Sequence, residues 1–367
     1  MAQNYDVIIV GGGPVGLFLG LTLALEDIRV LVIEQESDIP QSPRALMNFP
    51  IVLNEFAKVG ILDQVVAAGF KNTAGLCFRT PYSGTNTVLA KIPPGKSSKG
   101  LIDYGVQLSQ AKLCAIMRNR ALQSKYFEIR YNTRYTSHHE DGDLVHVNSE
   151  SASSGPLKLS ASFIVACDGA NSQVRDAMDI PFEGFTWKDW RFVAVNVYYD
   201  FAKHGYPAAN HVIDPEDWAV IVRASSVEEG LWRIAMGISP DVKPEEVESY
   251  VVAKVERLMP GPRPLDYKIE AVSPYWAHEK VALKFRAGRV VLCGDAAHYA
   301  TIRREDFVKR VQKQAIDGKN RIHSMDAKVV AERDDFFNML NKSPGFGNFI
   351  ASMMMEPLPE DLWPTPW

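Results

Sequence analysis

Three short clusters of glycine and acid, far apart in the chain, carry the residue types that hold a phosphate-bearing ligand. The first is Gly11-Gly-Gly13-Pro14-Val15-Gly16, in which Gly11, Gly13 and Gly16 keep the spacing G-x-G-x-x-G. Glu34, with Gln35 beside it, follows about 20 residues later. The second cluster is Asp168-Gly169 and the third is Gly294-Asp295. In the first, each glycine has a separate task. Gly11 lets the chain turn sharply, Gly13 leaves its backbone bare to a pyrophosphate, and Gly16 lets the following helix lie close to a strand. A helix N-terminus offers free N–H groups and the positive end of its dipole to phosphate, and a carboxylate such as Glu34 accepts hydrogen bonds from a ribose diol.

These clusters need strands to position them, and each has one in front of it. Val7–Val10 is a β-branched run too short for a helix, Leu17–Leu25 continues at helical spacing, and Val30–Ile33 is a second strand ending at Glu34. Ala161–Ala166 leads into Asp168, with a short helix from Ser172, and Val290–Leu292 leads into Gly294-Asp295. Acids at such strand tips stand where ligands bind in α/β folds. Between them, residues 187–285 change character. They are rich in aromatics, with strands at Phe192–Tyr198, Trp218–Arg223 and Trp232–Ile238 and a helix at Pro244–Leu258. This reads as a second, mixed β-sheet domain, whose aromatic face is suited to wall an apolar pocket. His211, Trp218, Arg223 and Tyr275 are its candidate substrate-pocket residues, with His211, Arg223 and Tyr275 able to bind a phenolate.

Composition narrows the classes. A chain of 367 residues with 46% hydrophobic and 23% charged residues buries a sizeable core, and its net charge of −4 offers no basic excess for nucleic acid. The four cysteines, Cys77, Cys114, Cys167 and Cys293, include no C-x-x-C pair. They read as buried free thiols rather than disulfides or metal ligands, which suits a reducing, cytoplasmic setting. The charge-free stretch Val7–Leu25 has the length of a membrane span, but three glycines and a proline break its centre, so no integral membrane segment is expected.

The order G-x-G-x-x-G, Asp-Gly, Gly-Asp, each at a strand end, resembles the FAD-dependent aromatic hydroxylases, the single-component flavoprotein monooxygenases related to para-hydroxybenzoate and phenol hydroxylases. The resemblance runs from about residue 4 to 300. It implies an α/β fold: a Rossmann-like FAD-binding domain, discontinuous at 1–180 and 286–345, with an inserted mixed β-sheet substrate domain at 181–285, a C-terminal helix, and an irregular tail at 346–367. It implies that Gly11, Gly13, Pro14, Val15, Gly16, Glu34 and Gln35 hold the ADP part of FAD and that Asp168, with Arg175 following, serves FAD and NAD(P)H binding. It further implies that Gly294 and Asp295 hold the ribityl chain, within the run Gly-Asp-Ala-Ala-His298, and that Arg44 and Gln107 contact FAD from elsewhere in the chain. The implied chemistry is reduction of FAD by NAD(P)H and use of O2 to hydroxylate or epoxidise a small aromatic or polycyclic metabolite, with no catalytic base identifiable and a monomer or homodimer as the assembly.

One departure stands out. After His298 the family continues with a proline and a glycine-rich loop against the flavin ring, whereas this chain reads Tyr-Ala-Thr-Ile-Arg303-Arg304-Glu305 and enters a long charged helix with Val308, Val311, Ala315, Ile322, Met325, Val329, Phe336 and Met339 on one stripe. That stripe reads as a helix packed on its own domain rather than a dimer coil. The alternative function is therefore a family member that binds FAD weakly or not at all and serves a binding or isomerising role.

Overall fold

The structure, a computed structural model, describes residues 4–41, 44–94, 102–297 and 320–353. It divides into two compact units, each assembled from separate stretches of chain: Met1–Ser42, Gln110–Trp187 and Trp276–Gln314 form the first, and Pro43–Ser109, Lys188–Tyr275 and Ala315–Trp367 the second.

The first unit is built on an eight-stranded sheet. Its central path runs Arg286–Ala287, Val290–Leu292, Gly155–Ala166, Asn4–Val10, Val30–Ile33, Phe127–Arg130. Strands Thr133–Asp141 and Leu144–Ser151 extend it antiparallel along the early part of Gly155–Ala166. The innermost strands are parallel to one another, which explains their unbroken apolar composition: Val30–Ile33 is buried at all four positions. Helix Pro14–Leu25 lies on this sheet through Gly16, Leu17, Gly20, Leu21 and Ala24. A side chain at Gly20 would meet the Phe127 ring at 2.7 Å, so glycine sets how closely the helix approaches. Beyond Ala166, Ser172 caps the short helix Gln173–Ala177 by accepting from the Arg175 N–H.

The second unit holds a seven-stranded sheet in the order Lys268–Tyr275, Arg191–Tyr198, Leu231–Ile238, Ala219–Arg223, Ala209–Val212, Leu76–Arg79, Val88–Ile92. Helix Val247–Leu258 covers one face, packing Val251, Val255 and Leu258 on Val193, Val195, Trp232, Ile234 and Met236. The expected boundaries shift here. Residues 76–92 do not group with the nucleotide unit, because Leu76–Arg79 pairs in parallel with Ala209–Val212 and so belongs to this sheet.

The C-terminal region also differs from expectation. Instead of one long helix, the chain breaks at Ser324–Asp326, and the Asp326 carboxylate caps a new helix, Ala327–Lys342, by accepting from the Lys328 and Val329 N–H groups. Its buried residues are Phe337 and Leu340, which join Phe78, Ala90 and Ile92, while Met325 and Met339 are exposed. The helix thus packs within the second unit and not within the FAD-binding domain to which 286–345 was expected to belong. The tail expected to be irregular from residue 346 begins inside another helix, Pro344–Met353, and residues 354–367 lie outside those described.

Candidate cofactor-binding site

In the first unit, strand register brings the three clusters to one edge. Val10 is level with Ile33 on one side and with Ala166 on the other, and Ala166 is level with Leu292. All three pairings are parallel, so the four chains leave the sheet side by side. The ladder runs one residue further: the Gly11 N–H donates to the Ile33 carbonyl (2.9 Å), the Cys167 N–H to Val10 (2.7 Å) and the Cys293 N–H to Ala166 (2.9 Å). Glu34, Gly11, Cys167 and Cys293 therefore stand in a row at the carboxyl ends of the strands, where ligands bind in open α/β sheets.

The loops that follow touch one another. Gly11 has φ +107°, and a Cβ there would sit 2.4 Å from the Cys167 carbonyl oxygen. At Gly16 a Cβ would sit 2.0 Å from the Gly11 carbonyl oxygen. Gly294 has φ +59°, with its missing Cβ 2.8 Å from a Val15 methyl. The buried Arg175 guanidinium donates through Nη1 to the carbonyls of Ala170 (2.9 Å) and Ala296 (3.3 Å), tying the Asp168 loop to the Gly294–Ala296 turn that presents the exposed Asp295.

Within this cradle, space and polar groups are left over. A Cβ on Gly13 would meet nothing within 4 Å, so the protein's own packing does not require glycine there. Gly13 is the N-cap of Pro14–Leu25 and no side chain caps that end. Glu34 Oε2 accepts from the Gly12 N–H at 2.6 Å and Oε1 from the Glu36 N–H at 2.9 Å, which holds the half-buried carboxylate over the glycine turn, with Gln35 exposed beside it. Asp168 Oδ2 accepts from the Val174 N–H (3.3 Å), whereas its Oδ1 is buried with no hydrogen-bond partner. Burial pushes the Asp168 carboxyl above its ordinary range, against the Ser172, Val174 and Gln173 donors that lower it. An open backbone turn, an uncapped helix end and a carboxylate at the second strand fit an extended dinucleotide such as FAD.

The other expected residues lie in the second unit. Arg44 is exposed. Gln107 belongs to strand Gly105–Gln107 and is fully buried; its Nε2 donates to the Ala208 carbonyl at 3.1 Å and its Oε1 has no partner. The four candidate pocket residues do not share one surface. Side chains alternate along a strand, and His211 is level with Val220, so His211 and Arg223 point to opposite faces of the sheet. Arg223 is level with Trp232 on the helix-covered face, its guanidinium buried against the Trp232 and Phe70 rings at 4.6 and 5.1 Å. The opposite face carries His211, edge-on to Phe78 at 5.5 Å, and Tyr275, stacked with Phe192 at 5.7 Å. Trp218 is buried there among Trp190, Phe192 and His323, a core packing position rather than an open wall. Burial, reinforced by Arg321, lowers the His211 imidazole to about 4, so it is neutral at pH 7.

A polar chain that the sequence did not reveal lies on that same face. Buried Arg233 donates from Nε to Asn196 Oδ1 (2.9 Å) and from Nη1 to the Arg44 carbonyl, and Asn196 Nδ2 donates to Glu270 Oε2 (3.0 Å). Burial lowers the Arg233 guanidinium to about 10. The continuation after Ala297, including His298 and the departure that follows it, lies outside the described residues.

Residues 4–302 match the FAD binding domain family. The chain is 36% identical over 295 residues to a para-nitrophenol 4-monooxygenase of a Pseudomonas species, covering 80% of this chain and 71% of that protein. It is 33% identical over 300 residues to a 6-hydroxy-3-succinoylpyridine 3-monooxygenase of Pseudomonas putida, covering 81% and 74%. The crystal structure of a p-nitrophenol 4-monooxygenase from Pseudomonas putida superposes with a TM-score of 0.88 at 29% identity, covering 96% of this chain and 98% of that one. The chain belongs to the FAD-binding flavoprotein family to which the aromatic hydroxylases belong, and its FAD domain has the Rossmann-like fold that the glycine pattern implied.

Proposed function

We propose that this protein is an FAD-dependent monooxygenase that takes reducing equivalents from NAD(P)H and inserts one atom of O2 into a small, electron-rich aromatic substrate of the phenol class. The observation that carries this reading is the register of Val10, Ile33, Ala166 and Leu292, which lines up the G-x-G-x-x-G, Asp-Gly and Gly-Asp loops at one sheet edge in a chain similar to para-nitrophenol 4-monooxygenase. Gly11, Gly13, Pro14, Val15 and Gly16 receive the pyrophosphate on bare backbone and the helix end, Glu34 accepts from the adenosine ribose, with Gln35 flanking it, and Asp168, Gly294 and Asp295 hold the remainder of the chain of the cofactor. Bound FAD supplies the redox and oxygen chemistry; the residues bind, orient and keep water out. His211, neutral and half-buried on the sheet face opposite the helix Val247–Leu258, accepts a hydrogen bond from a phenol hydroxyl. Free buried thiols support a reducing, cytoplasmic setting; among the described residues no helix is long and apolar enough to cross a membrane.

The test is reconstitution. Purified protein is titrated with FAD, and NADPH and NADH oxidation is followed with and without a panel of substituted phenols, with product analysis. Stoichiometric flavin and phenol-stimulated oxidation with a hydroxylated product are expected. A protein that takes up no FAD would refute the reading.

A further inference from the structure

We infer that Cys167 and Cys293 form an oxidation site, at which a hydroperoxide closes a disulfide across the ends of two neighbouring parallel strands and loosens the cofactor cradle. The two residues are level with each other, because Ala166 is level with Leu292 and the Cys293 N–H donates to the Ala166 carbonyl. Neighbouring strands lie about 4.8 Å apart, inside the roughly 4.4–6.8 Å between α-carbons that a disulfide spans. Level residues on parallel strands project to the same face, and the two thiols are hydrogen-bonded to each other. Both cysteines are free, Cys167 buried and Cys293 half-buried, so a small oxidant reaches Cys293 and its sulfur then finds Cys167 next to it.

The pair is also asymmetric in the way such chemistry needs. Its hydrogen bond from Cys167 and the Gly294 N–H lower the Cys293 thiol to about 7 against the effect of burial, while Cys167, bonded to Cys293 and buried, is held well above the ordinary thiol range. Cys293 thiolate attacks one oxygen of hydrogen peroxide; the O–O bond breaks and hydroxide leaves as water after taking a proton. Cys167 then gives up its proton and attacks the Cys293 sulfur; the S–O bond breaks and a second water leaves. Two thiols are oxidised and one peroxide is reduced.

Cys167 follows the strand that abuts Gly11, and Cys293 precedes the Gly294 turn that rests on Val15. Drawing the two sulfurs to bonding distance displaces these contacts. The effect on FAD rests on the function proposed above; formation of the bond does not. Reduced protein is exposed to hydrogen peroxide at pH 7.5, alkylated, and mapped by peptide mass. A Cys167–Cys293 cross-linked peptide is expected, with Cys77 and Cys114 still alkylated. In Cys167→Ser, a dimedone adduct at Cys293 replaces the cross-link. Alkylation of both residues after peroxide, or a cross-link to Cys77 or Cys114, overturns the site. FAD affinity is then measured by flavin fluorescence on reduced and oxidised protein, with about tenfold weaker binding expected after oxidation. Equal affinities would overturn the coupling, and reduced protein that binds no FAD while still forming the cross-link would refute the cofactor reading and the coupling built on it and leave the oxidation site standing.

Discussion

The first unit holds its functional groups on loops at strand ends, whereas the second holds them in the middle of strands. At Gly11 and Gly16 the backbone itself is the binding surface, and the neighbours that constrain it are other backbones. At His211 and Arg233 a side chain projects from a sheet whose opposite face is fixed by the helix Val247–Leu258. The first arrangement suits a ligand with invariant phosphates and ribose, because main-chain donors cannot be altered without altering the fold. The second is an arrangement in which one residue on a strand can be exchanged while the sheet stays intact.

That difference makes substitutions in the two units fail in different ways. The largest effect is expected at Gly16→Ala, where the new methyl lies 2.0 Å from a backbone oxygen. Stability falls by on the order of 4 kcal/mol, read as a large drop in the apo-protein melting temperature, and FAD binding is lost with it. Gly13→Ala separates the two consequences. Its methyl meets no protein atom, so the apo-protein melts as before while FAD binds at least about tenfold more weakly, measured by fluorescence titration. Unchanged affinity in Gly13→Ala would show that the open space at this turn is not the cofactor's.

Next in size is Arg233→Met, which leaves buried Asn196 Oδ1 and the Arg44 carbonyl without their donor. A loss of about 2 kcal/mol in denaturant unfolding is expected, the cost of stranding the buried Asn196 acceptor. Asp168→Asn should act in the opposite sense on the apo-protein. An acid whose folded pKa lies above its unfolded value contributes stability below pH 3.8, and that contribution is lost as pH rises through the folded pKa. The asparagine variant does not titrate, so its melting temperature gains on that of the parent as pH is raised from below 3.8 to 7, while its FAD affinity falls. The smallest effect is expected at His211→Gln. FAD binding is unchanged, and KM for a phenol rises roughly three- to tenfold, the worth of one neutral hydrogen bond. Because burial holds this imidazole at about 4, the parent loses stability as pH falls from 6.5 through 4, where the unfolded chain takes the proton first; the variant lacks that slope.

The same contrast explains what could be read in advance. Gly11, Gly13, Gly16 and Glu34 were legible because their task is local: a turn, a helix end and the next strand all lie within one short stretch. The contacts between the loops were not, because the bond from Arg175 to Ala296 and the pairing of Cys167 with Cys293 depend on which distant strand comes to lie beside Gly155–Ala166. In the second unit, residue types alone group His211 and Arg223 in one pocket, yet the level pairing of His211 with Val220 puts them on opposite faces. Arg233 stayed hidden inside the apolar run Leu231–Ile238, where its neighbours announce a core strand and nothing marks the position facing away from the helix. Ser324–Asp326 interrupts what spacing alone made one helix, since a capping aspartate can begin a new helix without disturbing the apolar repeat.

Because each unit is drawn from three stretches, the chain passes between them five times, at residues 42, 109, 187, 275 and 314. Among the described residues strand Val290–Leu292 pairs with Gly155–Ala166 and Arg286–Ala287, so the edge that carries Asp168 stays open until the chain has been made through Leu292. A nascent chain halted before Val290 leaves the Ile164–Ala166 edge of strand Gly155–Ala166 unpaired, an apolar edge for a chaperone to shield.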